Sequence, residues 1–166
     1  VPISGADALA ILIAGHAIPR KEYNRILKDV LAELEQTHGI ADTKKRLMLI
    51  GSASDDVEFV RVLEDAGAIV VADTVCFGSR LHQSLVEETG DPVQALVAHY
   101  LNHSICPRML GYYKDRKAFL QSIILQAGVD GIILQNVRFC DLHGSENGVL
   151  ERDLEAAGIP CMRLER

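Results

Sequence analysis

The 166-residue sequence has no C-x-x-C pair, no apolar run longer than Ala8 to Ala14 and no excess of positive charge. Each absence closes off a class of protein. The four cysteines, Cys76, Cys106, Cys140 and Cys161, are scattered along the chain and form no small secreted framework, so disulfides are not expected in a reducing compartment. Ala8 to Ala14 is far short of the roughly 20 residues that span a bilayer, and no basic stretch precedes it as in a secretory signal. The sequence therefore predicts a cytoplasmic chain with no membrane partner. Seventeen Lys and Arg against 23 Asp and Glu give a net charge of −6, the wrong sign for neutralising phosphates, so nucleic acid is not an expected partner either. There is no internal repeat and no low-complexity stretch.

What is present is the composition of a soluble globular domain, 48% hydrophobic and 24% charged. The chain opens on Val1-Pro2 without a methionine and stops at Glu165-Arg166 after an apolar segment, which reads as a piece of a larger protein. Residues 1–45 read as a helical segment and connector. Ala6 to Ala17 is mostly apolar, and Lys21 to His38 carries Tyr23, Ile26, Leu27, Val30, Leu31 and Leu34 at helical spacing, closed by Gly39; Ala41 to Lys45 connects.

From residue 46 onward short apolar runs alternate with helical patterns. Leu47 to Ile50, Ala68 to Ala72, Gly131 to Gln135 and Pro160 to Leu164 read as strands. Val57 to Ala66, Leu81 to Glu88, Pro92 to Asn102, Lys114 to Ala127 and Asn147 to Ala157 read as helices, with Asp91 capping Pro92 and Cys106-Pro107 interrupting after Asn102. Strands apolar throughout are buried on both faces, as in parallel sheets covered by helices. The expectation is an α/β fold: a doubly wound, four-stranded parallel sheet of flavodoxin-like or Rossmann-like kind behind an N-terminal helical segment. In such a sheet the site lies beyond the carboxyl ends of the strands, here Gly51 to Asp55, Asp73 to Arg80, Asn136 to Glu146 and whatever follows Arg166.

Gly51-Ser52-Ala53-Ser54-Asp55 lacks both G-x-G-x-x-G and the P-loop G-K-S/T, and reads first as a capped helix start. Asp73-Thr74-Val75-Cys76-Phe77-Gly78-Ser79-Arg80 could orient a substrate or simply turn with Cys76 packed inward. In Cys106-Pro107-Arg108-Met109, Arg108 is an anion contact and Cys106 reads as packing. The densest chemistry is Asn136 to Asn147, which packs Arg138, Cys140, Asp141, His143 and Glu146 into one stretch. Arg138 and a helix start near Ser145 would favour a thiolate at Cys140, a soft ligand suited to zinc or an iron–sulfur cluster. His143 reads first as a satisfied loop histidine, with ligand and proton donor as the alternatives. Cys161, inside the fourth strand, reads as core.

Val70 to Arg80, Cys106-Pro107-Arg108-Met109, Val129 to Ile133, Phe139-Cys140-Asp141 and Gly158-Ile159-Pro160, in this order over roughly residues 46–166, resemble the carboxy-terminal domain of the benzoyl-CoA reductase and 2-hydroxyacyl-CoA dehydratase subunit family. Cys76 to Arg80 and Arg138 to Asn147 look closer to the ATP-dependent benzoyl-CoA reductase branch. The resemblance implies a flavodoxin-like domain over 46–166 of a larger subunit, holding a 4Fe–4S cluster with Cys140 as one ligand and the others from an N-terminal domain. Cys76 and Cys106 match family positions but not ligand positions. It also implies a related second subunit, an ATP-hydrolysing iron–sulfur activator and an acyl-CoA substrate, with a cyclic diene thioester as product in the reductase branch. His143, Asp141 and Glu146 become candidates for proton transfer, and Arg80, Arg108, Ser52 and Asn136 for substrate contact. The alternatives are a 2-hydroxyacyl-CoA dehydratase using the same cluster, and a flavodoxin-like binding module whose cysteines are all structural.

Overall fold

The computed structural model describes residues 1–41, 44–103 and 106–165. Four strands, β1 (Lys45–Gly51), β2 (Ala68–Asp73), β3 (Gly131–Asn136) and β4 (Cys161–Glu165), form one sheet in the order β2-β1-β3-β4. All three neighbouring pairs run parallel, with Leu47 opposite Gly131 and Gly51 opposite Gln135. The helices are α1 (Gly5–Ala17), α2 (Arg20–Leu34), α3 (Val57–Asp65), α4 (Pro92–Asn102), α5 (Tyr113–Ala127) and α6 (Asp141–Ala156). The doubly wound α/β arrangement expected from the apolar strands is the one observed.

Side chains alternate across the pleat. Met48, Ile50, Ile132 and Leu134 pack against Leu120 and Ile124 of α5 and Leu150 and Leu154 of α6. On the other face, Leu49, Val70 and Ile133 meet Val60 of α3 and Ala6 and Leu9 of α1, so the first helix is a layer of the core. The chain thus leaves β1 toward one face, through α3, and leaves β3 toward the other, through α6. The crevice between those two exits is the topological switch point, where open α/β sheets bind ligands.

One buried carboxylate seats α1. Glu64 accepts hydrogen bonds from the backbone N–H groups of Gly5 (2.8 Å), Ala6 (3.2 Å) and Val70 (3.2 Å), placing negative charge at the positive end of α1 and covering part of the outer edge of β2. Glu64→Ala leaves three N–H groups unsatisfied and is expected to cost about 2–3 kcal/mol, read as a lowered urea midpoint.

Four local expectations change. The helix expected over Leu81 to Glu88 is only a 3₁₀ turn, Ser79–His82, and Leu85 beyond it is almost fully exposed, giving a longer helix no apolar anchor. The amphipathic helix expected to reach His38 ends at Leu34, whose carbonyl accepts from Thr37 Oγ1 at 2.9 Å. The first strand begins at Lys45, a position expected to be connector, while residues 42 and 43 of that connector lie outside the described residues. The last helix begins at Asp141 rather than Asn147, so the loop expected over Asn136 to Glu146 shrinks to residues 137–140. This last correction reshapes the site.

Candidate functional site

The exits of β1 and β3 are laced together. Ser52 N donates to Gln135 O (3.2 Å), and Ser52 Oγ accepts from Val137 N (2.8 Å). The Ser52 hydroxyl is therefore engaged with the backbone of the neighbouring exit. Gly51 makes this approach feasible, since a Cβ there would collide with the Gln135 carbonyl. Asn136, half-buried at the end of β3, lies alongside Gly144 of α6.

The chain next passes through Phe139, which adopts φ +67 and is 90% exposed as a residue. A left-handed aromatic residue in water is strained, and such strain gathers at functional loops. It delivers Cys140 to the N-cap position of α6, partly exposed and outside both apolar cores. Cys140 thus sits at the edge where the strands end, four residues past β3 and at the N-terminus of α6. Asp141 and Arg138 flank it, both exposed.

Behind Cys140, α6 turns a polar stripe inward. His143 and Asn147 are 6% and 2% exposed, and Glu146 is directed toward α5. There Arg116, 5% exposed, grips both Glu146 oxygens through Nε and Nη2. Its Nη1 donates to Cys106 O (3.1 Å) and Met109 O (2.8 Å). One guanidinium thereby ties the Cys106–Met109 turn to the second turn of α6. Sequence reasoning misses this residue, although Arg116, Leu120 and Ile124 recur every four positions, which places the arginine at the head of a buried stripe.

The segment after β2 is built around Asp73, whose carboxylate accepts from Val75 N (3.1 Å) and Ser79 N (3.0 Å). Gly78 packs against that carboxylate where a Cβ would clash. Burial lifts the Asp73 carboxyl above its ordinary range, against the opposing pull of these N–H groups and of Arg80. Arg80 is itself only 8% exposed, with a buried Nη1 that meets no partner among the described residues. Arg108 is exposed on the Cys106 turn. Ile105, expected to belong to the interruption before that turn, lies outside the described residues. The structure therefore gathers His143 and Glu146 around Arg116, with Arg80 within electrostatic reach of His143, while Cys140 and Asp141 stand at the rim in front and Arg108 lies on the surface.

Burial, then the charges of Arg80 and Arg116, push His143 down to about 4 from an ordinary 6.5. The unfolded chain takes up this proton as pH falls through 6.5, and the folded chain does not until about 4. The unfolded state binds more protons in that window, so acidification destabilises the fold, by on the order of 3 kcal/mol once pH 4 is reached. His143→Gln is expected to remove this component, and urea titrations of both proteins at pH 7, 5.5 and 4 measure it by difference.

Two hollows differ in relevance. The larger, about 420 Å³, follows the edge of β2 between α1 and α5 and touches none of Cys140, Asp141, His143 or Glu146. A second, about 340 Å³, lies against α6, walled by Leu110, Leu142 and Val149, with Ser145, Glu146 and Arg116 at its polar side. No group of three or more His, Cys, Asp or Glu gathers around a metal position among the described residues. By its chemistry, a thiolate at Cys140 would be a soft metal ligand. No described helix is long and apolar enough to cross a membrane.

Comparison with known proteins places these features in context. The family described as 2-hydroxyglutaryl-CoA dehydratase, D-component, matches residues 1–166, extending the likeness through the helical segment. The (R)-phenyllactyl-CoA dehydratase beta subunit of Clostridium sporogenes is 23% identical over 155 residues, 93% of this chain and 41% of that protein. A benzoyl-CoA reductase subunit of Thauera aromatica is 25% identical over 143 residues, covering 84% and 37% of the two chains. The lactoyl-CoA dehydratase beta subunit of Anaerotignum propionicum is 20% identical over 164 residues, covering 98% and 44%. The chain spans about two fifths of the length of these relatives.

Proposed function

The chain belongs to the 2-hydroxyglutaryl-CoA dehydratase D-component family, and from that premise we propose that it is part of an iron–sulfur subunit of an acyl-CoA-converting enzyme, with Cys140 as a cluster ligand. The observation that carries this reading is the placement of Cys140 on a strained loop at the switch-point rim, at the start of α6 and outside either core. When bound, a 4Fe–4S cluster supplies electrons of low potential. The remaining ligands would come from a portion of the subunit beyond this sequence, and a related second subunit and an ATP-hydrolysing activator would complete the enzyme.

The chain's own residues have separable tasks in this reading. Cys140 donates a thiolate. Arg116 and Glu146 hold α6 and the Cys106 turn in fixed relation, and His143 acts from the interior as a positioning group. Asp141, exposed beside Cys140, is the proton carrier best placed at the rim. The hollow against Leu110, Leu142 and Val149 has the size and apolar wall of a small-molecule pocket and would receive the acyl group, with exposed Arg108 available to a coenzyme A phosphate.

Within the family, the segments Cys76 to Arg80 and Arg138 to Asn147 favour an ATP-dependent benzoyl-CoA reductase, and a benzoyl-CoA reductase is represented among the relatives. A 2-hydroxyacyl-CoA dehydratase is the second reading, favoured by the family description and by the phenyllactyl- and lactoyl-CoA relatives. The deciding assay supplies the complete enzyme and activator anaerobically with benzoyl-CoA or a 2-hydroxyacyl-CoA. Diene formation supports the reductase and loss of water the dehydratase. Turnover of neither, with no iron bound, returns the chain to a flavodoxin-like binding module.

A further inference from the structure

The interior behind Cys140 holds a cavity that the cluster reading does not use. It measures about 20 Å³ and is bordered by Thr74, Pro107, Leu120, His143, Glu146 and Asn147. His143 Nε2 and Asn147 Nδ2 are both buried, and neither meets a hydrogen-bond partner among the described residues. The two residues stand four apart on α6, so their side chains leave the same face of the helix. An amide N–H buried without an acceptor costs on the order of 1–3 kcal/mol, and folded proteins satisfy such groups with ordered water when space permits. One water needs roughly 10–15 Å³ of such space, so this cavity has room for a water and is too small for a phosphate or an organic acid.

We infer that the cavity is the binding site of one ordered water, which accepts a hydrogen bond from Asn147 Nδ2 and donates one to His143 Nε2. A neutral imidazole provides the acceptor this arrangement requires, and the buried position of His143 keeps it neutral. Thr74 belongs to the exit of β2 and Pro107 to the Cys106 turn, so the water sits where three segments meet. It completes the polar stripe of α6 from behind and thereby helps to fix the helix start that presents Cys140. Both His143 and Asn147 are positioning residues in this account. The guanidinium groups of Arg80 and Arg116, whose charges reach His143, make a halide ion the competing occupant.

The test is a crystal structure of the full-length subunit at a resolution that shows ordered water, with one crystal grown in bromide. The expected result is a single peak about 2.7–3.2 Å from both His143 Nε2 and Asn147 Nδ2, without anomalous signal in bromide. An empty cavity, an anomalous peak in it, or a direct bond from His143 Nε2 to a protein group each overturns the inference. In solution, the nitrogen resonance of His143 Nε2 is expected to shift in Asn147→Leu, which removes the amide that holds the water. An unchanged resonance in that folded variant also overturns it.

Discussion

Replacing Cys140 by alanine in the full-length subunit is expected to abolish bound iron while leaving the fold close to its original stability. The two halves of this expectation rest on one placement. The thiol lies at the rim, partly exposed and outside both apolar cores, so its removal opens no cavity and costs well under about 1 kcal/mol. Cys161 is the internal control. It packs against the core formed by Ile132 and Leu154, and burial, with Glu155 and Glu151, pushes its thiol up to about 11. Cys161→Ala is therefore expected to retain iron and to lose about 1–2 kcal/mol of stability, and the Cys161 thiol is expected to resist alkylation at neutral pH. Iron and sulfide content after anaerobic purification, together with urea midpoints, separates the two variants. Near-normal iron in Cys140→Ala removes that residue from the ligand set.

The sheet was legible in the sequence because the central strands β1 and β3 carry short apolar runs without alternation, as a sheet covered on both faces requires, whereas the edge strand β4 includes Arg163 and Glu165 and is largely exposed. The start of α6 was not legible. Its inward stripe is His143, Asn147, Leu150 and Leu154, helical in spacing throughout but polar at the first two positions. A count of apolar periodicity therefore begins late, and the polar composition of residues 141–146 reads as loop. One of those polar groups, Glu146, is there to pair with a buried guanidinium, which the sequence places on another helix 30 residues upstream. The segment Leu81 to Glu88 failed in the opposite sense: it has a helical pattern, but Leu85 is left almost fully exposed and Leu81 partly so.

Arg116 is the residue whose loss should cost most. Arg116→Met strips the counter-ion from Glu146, which is largely enclosed, and at the same time frees the carbonyls of Cys106 and Met109. Breaking a buried pair by removing one partner typically costs about 3–5 kcal/mol, because the surviving charge remains desolvated without compensation. The urea midpoint should fall accordingly, and limited proteolysis should begin near residues 106–110 once that turn is released from α6. The double variant Arg116→Met, Glu146→Met distinguishes the cost of a stranded charge from the worth of the pair. With both charges gone and apolar volume in their place, much of the stability is expected to return. The proteolytic sensitivity of the turn is expected to persist, because its two carbonyls still lack a donor. If the single variant loses less than about 1 kcal/mol, Glu146 is solvated and the Cys106 turn is held by other contacts. The clamp would then have no part in presenting Cys140.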